Sequence, residues 1–460
     1  MSDPDSAGTP PGSRAPPEPS AATPVTPLPA TALYRRCDPD RLAFATTDEL
    51  APLDEILGQA RAVEALNFGL GIRREGYNLF ALGPIGTGKR SLIRAFTTAQ
   101  ARHDPAPSDW IYAHNFAEPQ KPRAIRMPAG RGAKLRQDMR DLIEELRAAV
   151  PAAFETEDYR TRRHVIDGQF KEAQEKAFGE IEERAKQQSI GIIRTPLGMG
   201  LAPLSKGEVL TPEQFHALPE AEQQRFQNEM NEIQRQLQET IRKIPRWESE
   251  RREKTRELNR DVTRDAVAHL LESVSARYAD LPEVTAYLKN VGDDLIENAE
   301  EFLVPPPSGP PDSLAELATR RAMHEIEPFD RYRVNLLVER GQDGGAPVVE
   351  EDHPTLQNLV GRVDYRSQFG VLVTDFTLIT PGALHLANGG YLLLDARRVL
   401  IQPYAWEELK RSMRVREIRI RSVGEMLGLA SAGTLQPEPI PLDVKVVLMG
   451  DRFLYYLLAE

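Results

Sequence analysis

Seven residues, Gly83, Pro84, Ile85, Gly86, Thr87, Gly88 and Lys89, have the spacing GxxxxGK. Glycines so placed let backbone N–H groups face phosphate oxygens, and the lysine reaches the outer phosphates of a nucleotide. The next position should be a Ser or Thr whose hydroxyl takes magnesium. It is Arg90, and Ser91 comes one residue later. A guanidinium has no lone pair for a metal, and one helical step turns Ser91 by about 100° away from the metal position. Arg90 could instead pair with a phosphate oxygen, so the loop reads as an ATP site whose Mg2+ geometry is compromised.

An ATPase also needs a carboxylate at the end of a neighbouring apolar strand to hold the metal, followed by a glutamate that orients water. "GGYLLLDA" supplies Asp395 as the metal and catalytic candidate and then Ala396. Asp395 either serves the cation or caps the helix beginning "ARRVLIQ". Asp451, at the end of "VKVVLMGDR", either polarises water near the terminal phosphate or caps the helix "FLYYLL". Glu350, Glu351, Glu407 and Glu408 are conceivable replacements for the missing water-orienting acid, though each reads first as a solvated charge. Without such an acid, turnover falls by on the order of a hundredfold or more.

These residues need strands ending at one edge. "YNLFAL" is a buried strand, the glycine loop and "RSLIRAF" follow, and "WIYAHNF" is a second apolar strand. Strand, loop, helix and strand predict the start of a doubly wound parallel sheet. "RYRVNLLVE", "FGVLVTDFTLI", "GGYLLLDA" and "DVKVVLMGD" predict its resumption after residue 326.

Between them the sequence turns helical and charged. Ile166, Phe170, Ala173, Ala177 and Ile181 repeat at three-four spacing, as do Phe226, Met230, Ile233, Leu237, Ile241 and Ile244. Both are seams of a bundle or antiparallel coiled coil. Pro245 should end or kink the second helix. Residues 190–215 read as a hairpin at the far end of the arm, with Ile192, Ile193, Leu197, Met199 and Leu201 open to a partner or packed on the arm itself. "FLVPPPSGPPDSL" is a stiff connector. The expected fold is α/β: a P-loop NTPase parallel-sheet core interrupted by a long, coiled-coil-like α-helical insertion. Its regions are a Pro/Ala-rich disordered tail (1–30), the first core part (31–125), the insertion (126–325) and the second core part (326–460).

Composition narrows the function classes. The 460 residues are 40% hydrophobic and 28% charged, and the formal net charge of −11 gives the whole surface no attraction for nucleic acid. Arg-rich runs such as "RTRRHV" keep a DNA-remodelling reading open, but on an acidic chain they suit solvated helix faces. Cys37 is the single cysteine, which suits a reducing cytoplasm. No apolar run approaches the roughly 20 residues of a membrane helix, so neither export nor anchoring is expected.

Several stretches together resemble the AAA+ portion of bacterial Lon-related ATP-dependent proteases. They are "LGQARAVEALNFGLGI" ahead of "GPIGTGK", the helical insertion, "PVVEEDHPTLQNLVGRV", and above all "LITPGALHLANGGYLLLDARRVL" with "AWEELKRSM". The resemblance runs from about Leu33 to the end. It implies an AAA+ module in a homo-oligomeric ring that passes protein substrate to a Ser-Lys protease domain in cis or in trans. It makes Gly83 to Lys89 the Walker A segment, Asp395 the Walker B aspartate and Gly450 to Arg452 the sensor-1 position, where many relatives carry asparagine. ATP and Mg2+ are the cofactors it implies, and members with altered nucleotide motifs occur.

The resemblance also implies a last core strand, a small helical lid, an arginine finger and a protease domain beyond Glu460. The sequence therefore reads as a fragment, or as a product that needs a partner, with an unpaired sheet edge and an exposed apolar face. No segment offers a Ser-Lys dyad, and Ser431 in "LGLASAGTL" reads as a loop residue. A scaffold that binds nucleotide without hydrolysing it is the competing function.

Overall fold

A computed structural model gives the structure of residues 27–34, 36–51, 59–84, 86–195, 198–205, 208–302, 328–341, 344–368, 371–421 and 435–459. Ile85, Leu197, Ser431, most of the N-terminal tail and nearly all of the proline connector lie outside the described residues. The chain divides into two compact units, one ending at Gln59 and one beginning at Ala60. The described part of the first holds three single-turn 3-10 helices, Ala30–Ala32, Pro39–Arg41 and Thr47–Glu49, none with a buried residue.

The second unit begins with α1 (Ala60–Gly71), β1 (Leu79–Leu82) and α2 (Lys89–Ala101), followed by β2 (Asp109–Ala113) and β3 (Arg123–Met127). The arm comprises α3 (Arg131–Phe154), α4 (Glu157–Gln187), β4 (Ile190–Thr195), β5 (Gly198–Ser205), β6 (Glu208–Val209), α5 (Pro212–His216), α6 (Glu220–Arg277) and α7 (Pro282–Glu297). Then come β7 (Val334–Val338), β8 (Val348–Glu351), α8 (Leu356–Val360), β9 (Arg362–Val363), β10 (Arg366–Gln368), β11 (Val371–Val373), β12 (Ile379–Thr380) and α9 (Ala383–Ala387). The last elements are β13 (Tyr391–Asp395), α10 (Ala396–Ile401), α11 (Ala405–Val415), β14 (Glu417–Ile418), β15 (Ile440–Pro441), β16 (Lys445–Gly450) and α12 (Arg452–Ala459).

Four strands pair in the order β1-β16-β13-β8, all parallel. Leu392, Leu393, Leu394 and Val447 are fully buried, as the near-continuous apolar runs of a sheet covered on both faces require. Ile93 of α2 packs with Leu393, Val447 and Met449 on one side. On the other, Leu392 and Leu394 join Leu384, Ala387 and Val399.

The strand expectations need correcting in three places. "WIYAHNF" and "RYRVNLLVE" do not enter the parallel sheet; β2 and β7 form an antiparallel trio with β3, in the order β3-β2-β7. Ile111 and Ala113 face the arm's core while Tyr112 faces the core around the parallel sheet. Both faces are covered, so the strand has the same continuous apolar pattern that a parallel strand would show. "FGVLVTDFTLI" yields only β11 and β12, which pair antiparallel with β10 and β9.

The arm's core gathers Leu135, Met139, Leu142, Leu146 and Val150 of α3 against Val267, Val274, Val284, Tyr287 and Val291. Farther out, α4 lies along α6. Ile192 and Leu201 of the hairpin pack with Ile181, Ala185, Ile190 and Ile233, so part of its apolar surface is spent on the arm itself, while Ile193 remains 36% exposed. Ala173 and Ile241, expected on the seams, are exposed. Nor does Pro245 end its helix, because α6 runs through it for 58 residues. Contacts to α4 on its C-terminal side, Arg251 to Asp167 at 3.1 Å and Lys254 over the Phe170 ring, hold the helix where the proline has removed a hydrogen bond.

α12 has no buried residue, and Phe453 is 75% exposed. Pro245→Ala should restore the bond to the Ile241 carbonyl and slow amide exchange around it roughly a hundredfold, the counterpart of the ~3 kcal/mol an internal proline costs. Unchanged exchange would show that the helix does not feel its proline.

Candidate functional site

The glycine loop grows out of the sheet ladder. Gly83 N donates to Gly450 O at 3.1 Å, one step beyond the Leu82–Gly450 pair, so the loop begins in strand register. Gly86 and Gly88 have φ of 84° and 74°, left-handed values that side chains resist, and a Cβ at either would meet nothing within 4 Å. Conformation demands these glycines, and the space over them is open. Thr87 Oγ1 donates to Pro84 O at 2.9 Å. Lys89 opens α2 and arches back, its Nζ donating to Gly83 O and, at 3.3 Å, to Pro84 O. The ammonium thus lies over the loop, beside the unpaired amides of a helix N-terminus.

Asp395 and Asp451 end β13 and open α12 at the same edge of the sheet. Asp395 pairs with Met449, two residues before Asp451, and β16 is the one strand between β13 and β1. Two strand spacings, about 10 Å, therefore separate the Asp395 strand from the loop strand. Each aspartate also caps a helix: Asp395 Oδ1 accepts from Arg398 N at 3.0 Å, and Asp451 Oδ1 from Leu454 N at 2.9 Å. Ala396, where a water-orienting acid would stand, is buried.

Arg90 does not reach toward the loop. Its guanidinium bonds Glu350 on β8 and, at 2.7 Å, Asp352, and the Glu350 bond raises its already high pKa. Arg398 joins the network through Asp352 Oδ1 at 3.0 Å and the Asp352 carbonyl at 2.8 Å. Ser91 is exposed on the next helical position.

The four candidate glutamates separate. Glu350 is 18% exposed and held by Arg90, and Glu408 is 2% exposed and held by Arg411 at 2.6 Å, so neither is the solvated charge expected from sequence. Glu351 accepts from His353 N at 2.7 Å, while Glu407 is an exposed partner of Lys410. Asp352 and Arg398 escaped the sequence reading. Their charges are visible there, but Asp352 pairs with Arg398 at 46 positions and with Arg90 at 262 positions along the chain.

The block "GALHLANGG" is a support under β13. His385 is fully buried, its Nδ1 accepting from Gly382 N at 3.2 Å, and burial pushes its pKa down to about 3. Arg340 Nη2 donates to Leu386 O at 2.7 Å at the end of α9, and Asn388 bridges to Pro441 O and Asp443 N.

With this geometry in view, two family models match. Residues 344–460 match the LonB-like AAA domain, and residues 109–142 match the Lon-like LonC helical domain. These two matches support a Lon-related AAA+ protein. Its fold is that of a P-loop NTPase, a nucleotide-binding architecture. No curated protein matches it. The LonB-like match takes in β8, β13 and β16 with Asp395 and Asp451 but begins after the glycine loop. The LonC-like match covers the two strands β2 and β3 and the first half of α3. Among the described residues no helix is long and apolar enough to cross a membrane.

Because the folded pKa of His385 lies near 3 and the ordinary value is 6.5, only the unfolded chain takes up this proton between those limits. Its contribution is present above pH 6.5 and is lost as pH falls toward 3. Between pH 7 and pH 5, urea unfolding should show the native protein losing about 2 kcal/mol more than His385→Asn. Equal losses would clear the imidazole of responsibility.

Proposed function

We propose that this chain is the ATP-binding, substrate-handling part of a Lon-like ATP-dependent protease. The observation that carries the reading is the convergence of the Gly83–Lys89 loop, Asp395 and Asp451 on one edge of a parallel sheet. The left-handed glycines with open space above them fit a polyphosphate: amides of the loop and of the α2 N-terminus would meet its oxygens, and Lys89 would exchange the Gly83 carbonyl for the outer phosphates. Bound ATP would supply the phosphoryl-transfer chemistry that moves a ring. The helical arm would engage protein substrate, and a serine protease domain, in cis or in trans, would cut it.

A divalent cation does not fit the residues present. Arg90 stands at the hydroxyl position, Asp395 spends an oxygen on helix capping, and among the described residues no group of three or more His, Cys, Asp or Glu could hold a metal. With Ala396 in place of an acid, hydrolysis is expected to be weak, which favours as a second reading a nucleotide-binding scaffold whose arm acts as a gate. Turnover separates the two: phosphate release abolished by Lys89→Ala or Asp395→Ala excludes the scaffold.

Isothermal titration with ATP should give a Kd in the micromolar range, weakened by about a hundredfold or more in Lys89→Ala, with no casein cleavage by this chain alone. No heat and no thermal shift with any adenine nucleotide would end the proposal.

A further inference from the structure

The residue after Lys89 is where a phosphate-loop helix offers a hydroxyl to its metal, and here that position carries a cation committed elsewhere. Arg90 donates to Glu350 through Nε and to Asp352 Oδ1 through Nη2 at 2.7 Å. Arg398 Nη1 meets the same Asp352 oxygen at 3.0 Å, and the Arg398 amide donates to Asp395 Oδ1 at 3.0 Å. Three carboxylates at this edge are thus matched by two guanidiniums and a helix N-terminal amide.

The consequence is electrostatic. A divalent ion of magnesium's size requires near-octahedral oxygen ligands and gives up its water reluctantly. Here the acids that would attract it are already paired with guanidiniums or a helix amide, and the residue at the hydroxyl position is an arginine with no lone pair to offer. Glu350, only 18% exposed, has its charge compensated at close range by Arg90. Lys89 and the loop amides remain to receive phosphate.

We propose that Arg90 is the resident cation of this site and takes the electrostatic place of the divalent metal, so that ATP binds equally well with and without Mg2+. The proposal rests on the nucleotide reading above and adds the site's cation specificity. It also assigns the Arg90–Glu350–Asp352–Arg398 network a role: it holds the start of α2, the end of β8 and the start of α10 in the arrangement that a bridging metal would otherwise impose.

The test is ATP titration calorimetry on the whole chain, once in excess EDTA and once in excess MgCl2. Kd values within about twofold of each other are expected, and a loss of tenfold or more in EDTA overturns the proposal while leaving the nucleotide site intact. Arg90→Ser supplies the missing hydroxyl and frees Glu350, leaving Asp352 with Arg398. It should bind ATP at least about tenfold more tightly with Mg2+ than without, and a folded variant indifferent to metal also overturns the proposal. Should Arg90→Ser not fold, the ATP-induced thermal shift of the native chain in the two buffers decides by itself. Absence of ATP binding in both buffers sinks the nucleotide reading and this proposal with it, an outcome distinct from metal-dependent binding.

Discussion

The register between β1, β16 and β13 is the constraint on which everything else depends. Leu82 pairs with Gly450 and Asp395 with Met449, so three segments well apart in the chain, the first of them hundreds of residues from the other two, end at one level. A slip of one residue in β16 would turn the buried Val447 toward the opposite face and move Asp451 away from the loop. The leucines of β13, buried to the last atom, make that slip costly. The polar edge is therefore held in place by an apolar interior that takes no part in its chemistry.

The same reasoning explains how a long arm can leave the sheet without loosening it. The antiparallel trio β3-β2-β7 faces the arm's core on one side and the core around the parallel sheet on the other. Asp109 fastens the junction: fully buried, it accepts from Gly132 N at 2.8 Å and from Arg340 N at 2.7 Å. Burial raises its pKa while those amides pull it down, and two charge-assisted bonds offset the cost of placing a carboxylate there. Arg340 in turn reaches the carbonyls at the end of α9, under β13. A chain of polar contacts thus runs from the base of the arm to the strand that carries Asp395.

Much of the parallel sheet was legible because its strands are short apolar runs with a glycine loop or an aspartate at the end. "GPIGTGK" and "YLLLD" announce both element and polarity. The membership of β2 and β7 was not legible, since a strand covered on both faces looks the same in either kind of sheet. The unbroken α6 was hidden for a different reason. Helix propensity is local, and the contacts from α4 that carry the helix through Pro245 are made by residues some 80 positions away, as Arg251 and Asp167 are.

From the sequence alone came the α/β class, the phosphate-loop spacing, the arginine in the metal position and the alanine after Asp395, because each is a matter of residue type at a local position. Tertiary structure decided where the charges go. Whether Arg90 faces a phosphate or Glu350, and whether Asp395 and Asp451 cap helices, depends on which side chains lie within hydrogen-bond reach after folding. Such contacts are short in space and long in sequence, and no local pattern encodes the distance between them.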